Sequence, residues 1–177
     1  LELSEKDLDG LPYDLISILK QSGLERGSSL PILTLSRSHL VPFLESSSRR
    51  DLRKKAHSAW ISRGANNNVN NNYKIIKEII LLRKERADLL GFESFSEFKL
   101  ENEMAENPNN VKIFLHNVWK YAHVKALEEL EEIKQIMKDE QVDGPVMPWD
   151  WRYYQSKVKK QRFDFNPEDL KPFFELN

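Results

Sequence analysis

No cysteine occurs among the 177 residues. That excludes a disulfide framework, a thiolate metal site and a thiol nucleophile, and it fits a reducing compartment. An excess of one charge is also missing. The 27 basic and 28 acidic side chains leave a formal net charge of −1, whereas a nucleic-acid module carries a basic surplus. No apolar run approaches the roughly 20 residues that a membrane span needs, so no membrane partner is expected. The N-terminus has neither the basic nor the apolar stretch of a signal peptide. These absences together predict a cytoplasmic protein. The six glycines are scattered; none builds a G-x-x-x-x-G-K phosphate loop, and nothing resembles a nucleophile elbow.

What is present is 40% hydrophobic and 31% charged residues, in segments with the three-to-four-residue spacing of amphipathic helices. The fold class predicted is all-α: a multi-helix antiparallel bundle with at most one short strand or hairpin, with residues 1–177 forming a single helical domain. The chain starts at Leu1 and finishes at Phe173-Phe174-Glu175-Leu176-Asn177 without a terminating glycine, which reads as a piece of a larger protein.

Along the chain, Ser4 with Asp7 gives a capping-box-like start. Pro12 opens a helix with a Tyr13, Ile16, Leu19 stripe, closed by Gly23 or Gly27. Leu30 to Leu35 (LPILTL) is the best strand candidate, without an evident partner nearby. His39 to Glu45 is a short helix with Pro42 near its first turn. Ser48 then caps a helix through Leu52, Ala56 and Trp60. Its Arg49, Arg50, Arg53, Lys54 and Lys55 form either an anion patch or a solvated face; the neutral whole favours the second.

The asparagine-rich loop 66–72 leads to Asn72 as a cap. The next helix carries a wide apolar face of Ile75, Ile76, Ile79, Ile80, Leu82, Leu89 and Leu90, wide enough for burial against two neighbours. Gly91 is its αL cap, with Phe92 as the accompanying apolar contact. Ser94 starts a second helix through Phe95, Phe98, Leu100 and Met104. Asn107-Pro108 starts a helix of about 30 residues, roughly 45 Å long, with a stripe from Val111 to Met137. Gly144-Pro145 breaks it, Pro148 starts another, and Asn166-Pro167-Glu168-Asp169 marks one more start before Pro172.

Candidate chemistry is sparse. A gluzincin-type zinc site needs H-E-x-x-H, so that two imidazoles stand one helical turn apart with the glutamate reaching a bound water. That motif is absent. His116 and His123 share a helix, but seven residues separate them by about 10.5 Å of rise, too far for easy sharing of one ion; they read as two half-exposed helix histidines. Glu128-Glu129 and Glu131-Glu132 read as a solvated face. No catalytic residue and no metal ligand is therefore assigned. Trp149, Trp151, Tyr153 and Tyr154 are the most suggestive cluster. Aromatic groups with polar tips suit a peptide-binding wall and equally suit a helix buried on two sides.

Two long segments carry a resemblance. LRKERADLLGFESFSEFKLENEMAENP (Leu82 to Pro108) and PWDWRYYQSKVKKQRFDFNPEDLKPFF (Pro148 to Phe174) resemble the thimet oligopeptidase family of zinc metallopeptidases. LSEKDLDGLP near the start and LPILTLSRSHLVPFL fit the same family, so the likeness covers nearly the whole chain. The SAWISRG and PWDWRYY segments lean towards its bacterial peptidyl-dipeptidase branch. The resemblance implies an all-helical hydrolase with two lobes around a deep channel that admits short unfolded peptides. It also implies a zinc cofactor in the parent enzyme, held by an H-E-F-G-H helix that lies after the matched region. No family catalytic or metal residue can therefore be carried onto this chain, which would supply channel wall and scaffold. Trp149, Arg152, Tyr153 and Tyr154 are the residues placed nearest the cleft. The implied partners are short peptides and the missing catalytic lobe, with self-association of the isolated piece through uncovered apolar faces. The rival class is a non-enzymatic helical adaptor that binds a partner helix in an apolar groove. A nucleic-acid module working through Arg49 to Lys55 is the third.

Overall fold

A computed structural model describes residues 1–163 and 173. Among them are seven α-helices and no extended strand, an all-α architecture. Two compact units divide the chain: residues 1–61 with 129–177, and residues 62–128.

The first unit is built from α1 (Tyr13–Leu24), α2 (Arg37–Ser46), α3 (Arg50–Ile61), the end of α6 (Pro108–Asp139) and α7 (Pro148–Phe163). Its first core joins Leu3, Leu8, Leu11, Leu15, Leu19, Leu33, Leu40, Phe43, Leu44, Leu52 and Ala56. Within α1 the buried side chains are Leu15 and Leu19, whereas Tyr13 is exposed. The predicted stripe holds at Ile16 and Leu19 but not at Tyr13, and Pro12 is the cap itself rather than the first helical residue. Gly23 is required by a close approach. A Cβ there would lie 2.2 Å from the carbonyl oxygen of Leu30, and the Gly23 carbonyl accepts from the Ser28 amide at 3.0 Å.

The LPILTL segment finds its partner at the start of the chain. The Leu3 amide donates to Pro31, the Leu33 amide donates to Leu1, and Glu2 faces Ile32 in an isolated antiparallel bridge. Three residues with chain-terminal neighbours give too little pattern for a period-two signal, so this pairing was invisible in the sequence. Pro42 lies in the second turn of α2, later than predicted, because the helix starts at Arg37.

A second core joins Ile133, Ile136 and Met137 of α6 to Tyr154 of α7, with Val142, Val146, Trp151, Tyr153 and Val158 packed around it. Helix α7 packs against both α2 and α3.

The second unit contains α4 (Tyr73–Leu89), α5 (Phe95–Leu100) and the first part of α6. Gly91 takes φ +82°, and the Phe92 amide bonds the Ala87 carbonyl at 2.9 Å. This is the predicted left-handed stop, with Phe92 edge-on to Phe98. Ser94 accepts from the Glu97 amide and starts α5, but that helix ends at Leu100 and leaves Met104 fully exposed. The Asn107 side chain accepts from the Asn110 amide and caps α6. The Asn166 start and Pro172 end predicted from sequence lie outside the described residues.

Candidate functional site

The densest polar arrangement lies where α3 meets the start of α7. Pro148 holds the first helical position of α7, where its missing N–H costs nothing. Asp150, two residues on, turns its carboxylate back to accept from the Met147 amide at 3.1 Å. The same carboxylate receives two guanidinium groups. Arg50 donates through Nε and Nη2, the latter at 2.7 Å, and Arg53 donates through Nη2 at 2.9 Å. Asp150 is 0% exposed and Arg53 1%. Arg53 completes its donor set on the carbonyls of Ser47, Ser48 and Trp149, at 2.7, 3.2 and 3.2 Å. Arg50 reaches the carbonyls of Asp143 and Pro145 as well.

Burial pushes the Asp150 carboxyl up, but the hydrogen bonds from Arg50, Arg53 and the Met147 amide outweigh it and hold the group below its ordinary 3.8. The buried carboxylate thus stays ionised at neutral pH and ties α3 to α7.

This corrects the reading of the basic face of α3. Arg53 is neither solvated nor free for a phosphate. It occupies the apolar stripe, three residues before Ala56 and seven before Trp60, so the helix turns it inward. That position was the available signal: an arginine on a core face needs a buried acid. Arg49 in turn pairs with Asp7 and Asp51 at 2.6 and 2.9 Å.

The four residues predicted nearest a cleft all sit on the first three turns of α7. Trp149 is half-buried, edge-on to His57, with the Lys54 ammonium 5.2 Å from its ring centre. Arg152 is partly exposed and pairs with Glu45 at 3.6 Å. Tyr153 is half-buried between the Arg53 guanidinium, 4.1 Å from its ring centre, and the Lys157 ammonium at 4.4 Å. Tyr154, 2% exposed, belongs to the second core and meets Tyr153 edge-on. Burial, and next the Glu140 carboxylate, raise its phenol above the ordinary 10.0. Trp149, Arg152 and Tyr153 therefore offer partly accessible aromatic and cationic surface, and Tyr154 stands behind them.

His57 has its Nδ1 buried without a hydrogen-bond partner. Burial and then Arg152 press its pKa below 6.5, so it is held neutral. Among the described residues, no three of His, Cys, Asp or Glu come together in a way that would hold a metal ion. The described residues therefore do not fit a zinc centre. Nor is any helix of the described residues long and apolar enough to cross a membrane.

Comparison with known proteins places this framework. The model of peptidase family M3 matches residues 43–177, a stretch containing α3 to α7 and the whole Arg50–Arg53–Asp150 cluster. The chain belongs to peptidase family M3. It is 32% identical to oligopeptidase A of Haemophilus influenzae across 98% of its own length and 26% of that relative's. Against dipeptidyl carboxypeptidase of Escherichia coli it is 30% identical, over 89% of this chain and 23% of the relative. Oligopeptidase A of Escherichia coli is 30% identical over 100% of this chain and 27% of its own length. The chain thus spans about a quarter of the length of the curated relatives it matches.

Proposed function

We propose that this chain is the non-catalytic helical portion of a longer cytoplasmic zinc metallopeptidase that hydrolyses short oligopeptides and releases C-terminal dipeptides. Its part is channel wall and scaffold. The observation that carries the reading is the family match running through α3 to α7 in a sequence that has no H-E-x-x-H. The zinc ligands, the zinc-activated water and its general base belong to the rest of the enzyme. Trp149, Arg152 and Tyr153 are the wall residues, with Tyr154 fixing the helix behind them. The buried Asp150, gripped by two arginines from α3, sets the direction in which those side chains leave α7. A rigid support of this kind is what a substrate-facing surface requires. Short peptides are the partner of the whole enzyme; the catalytic lobe is the partner of this chain.

The test is direct. The purified chain is dialysed against zinc and then mixed with a quenched fluorogenic oligopeptide. It takes up no stoichiometric zinc and leaves the peptide uncut. A zinc-dependent turnover that survives removal of contaminating proteases would overturn the assignment. Binding of an amphipathic helix, without any connection to a peptidase, would instead favour the adaptor.

A further inference from the structure

Resting on the proposed function, we infer that the uncovered apolar face of α4 is the seat of the remaining peptidase chain. That partner is the three-quarters of a family relative that this sequence does not span.

Helix α4 is covered along only part of one stripe. Ala87 is its single buried residue. Helix α5 packs on this end of α4, with the Arg83 guanidinium 5.0 Å from the Phe95 ring centre and that of Arg86 4.9 Å from Phe98. At helical spacing, Ile76 and Ile79 continue the row of Arg83, and Ile75, Ile79 and Leu82 continue the row of Arg86. Helix α5 is six residues long and stops short of them. Ile75, Ile76, Ile79 and Leu82 stay between 42% and 56% exposed. The start of α6 repeats the pattern: its stripe is buried at Ile133 and Met137, yet Leu115 and Val118 on the same stripe lie open.

Rows of isoleucine at core spacing do not persist on a finished surface; contiguous apolar patches mark contact sites. In the first unit, by contrast, leucines at the same spacing form a buried core. A second copy of the chain is a poor occupant. Helix α4 carries five basic against three acidic side chains, so a two-fold pairing through it sets like excess charge against like. The family match spans all of α4, and relatives bring about three times as much further chain to the same segment. That length supplies the cover.

The absence of cysteine gives a clean probe. Ile76→Cys and Ile79→Cys are made singly in the full chain, with Tyr13→Cys, exposed in the first unit, as control. Reaction with a thiol reagent is timed alone and with Escherichia coli oligopeptidase A from which the matched segment has been deleted. Co-elution of the two is followed in parallel. The inference expects a complex in which both α4 cysteines react at least tenfold more slowly while Tyr13→Cys is unchanged. A complex with undiminished α4 labelling overturns the seat and leaves the function standing. Absence of any complex, with the deleted enzyme shown by circular dichroism to be folded, overturns both. Slowing that depends on the concentration of the chain alone assigns the face to a second copy and overturns the occupant.

Discussion

Replacing Asp150 by alanine removes the carboxylate that pairs with Arg53. The two arginines respond differently because their burial differs. The Arg50 side chain is 35% exposed and can turn to water, whereas Arg53 at 1% cannot. Three carbonyls still accept from Arg53, but its charge is left uncompensated in a low-dielectric interior. Breaking a buried pair from one side costs about 3–5 kcal/mol. With urea slopes of about 1–3 kcal/mol per molar, the midpoint falls by roughly 2 M. The assay should see the first unit alone. Of the four tryptophans, only Trp119 lies in the second unit, so a Trp119→Phe background leaves Trp60, Trp149 and Trp151 as reporters of the first. Arg50→Ala should cost less, about 1.5–3 kcal/mol, the scale of hydrogen bonds to a charged group, since Arg53 and the Met147 amide still serve Asp150. A loss below about 1 kcal/mol for Asp150→Ala would refute the reasoning, as would an Arg50→Ala cost exceeding that of Arg53→Ala.

Three further outcomes follow from the same contacts. His39 and His57 are both held below 6.5 by burial, so the unfolded chain takes up their protons first and stability declines as pH falls through 6.5. A second decline begins below 3.8, as the depressed Asp150 is titrated; Asp150→Asn should flatten that acid limb in pH-dependent urea midpoints, and an unchanged limb would contradict it. Gly23→Ala places a methyl 2.2 Å from the Leu30 carbonyl oxygen and should cost about 1–3 kcal/mol, the range of overpacking, read as a lowered melting temperature. Tyr154→Ala should cost about 3–5 kcal/mol, as for a buried large aromatic, while Arg152→Ala, half in water on its pair with Glu45, should stay within about 1 kcal/mol.

Much of this architecture is written locally. Pro148 after Met147, Pro108 after Asn107 and Gly91 before Phe92 fix helix ends within a few residues, because each satisfies or avoids terminal backbone groups on the spot. Burial is less local. The Ile75 to Leu82 row has the spacing of a doubly covered helix, yet remains open, because periodicity reports what a face is suited to touch and not what touches it. The burial of Arg53 is hidden from the sequence for the opposite reason. Its partner Asp150 is 97 residues away, and no short-range pattern links them. The Leu1–Leu3 pairing with Pro31–Leu33 is not legible in the sequence because two ladder bonds carry almost no sequence signature. For the residues proposed to line the channel, motif resemblance located α7, and packing separated accessible Trp149, Arg152 and Tyr153 from buried Tyr154.

The central claim concerns what the rest of the polypeptide holds. Peptide mapping by mass spectrometry of the protein isolated from its natural source measures this most directly. The account predicts a single polypeptide that contains both the α4 sequence YKIIKEIILLR and, further along, a segment bearing H-E-x-x-H. A native product that carries the α4 sequence, closes at Asn177 and associates with no H-E-x-x-H polypeptide would contradict it.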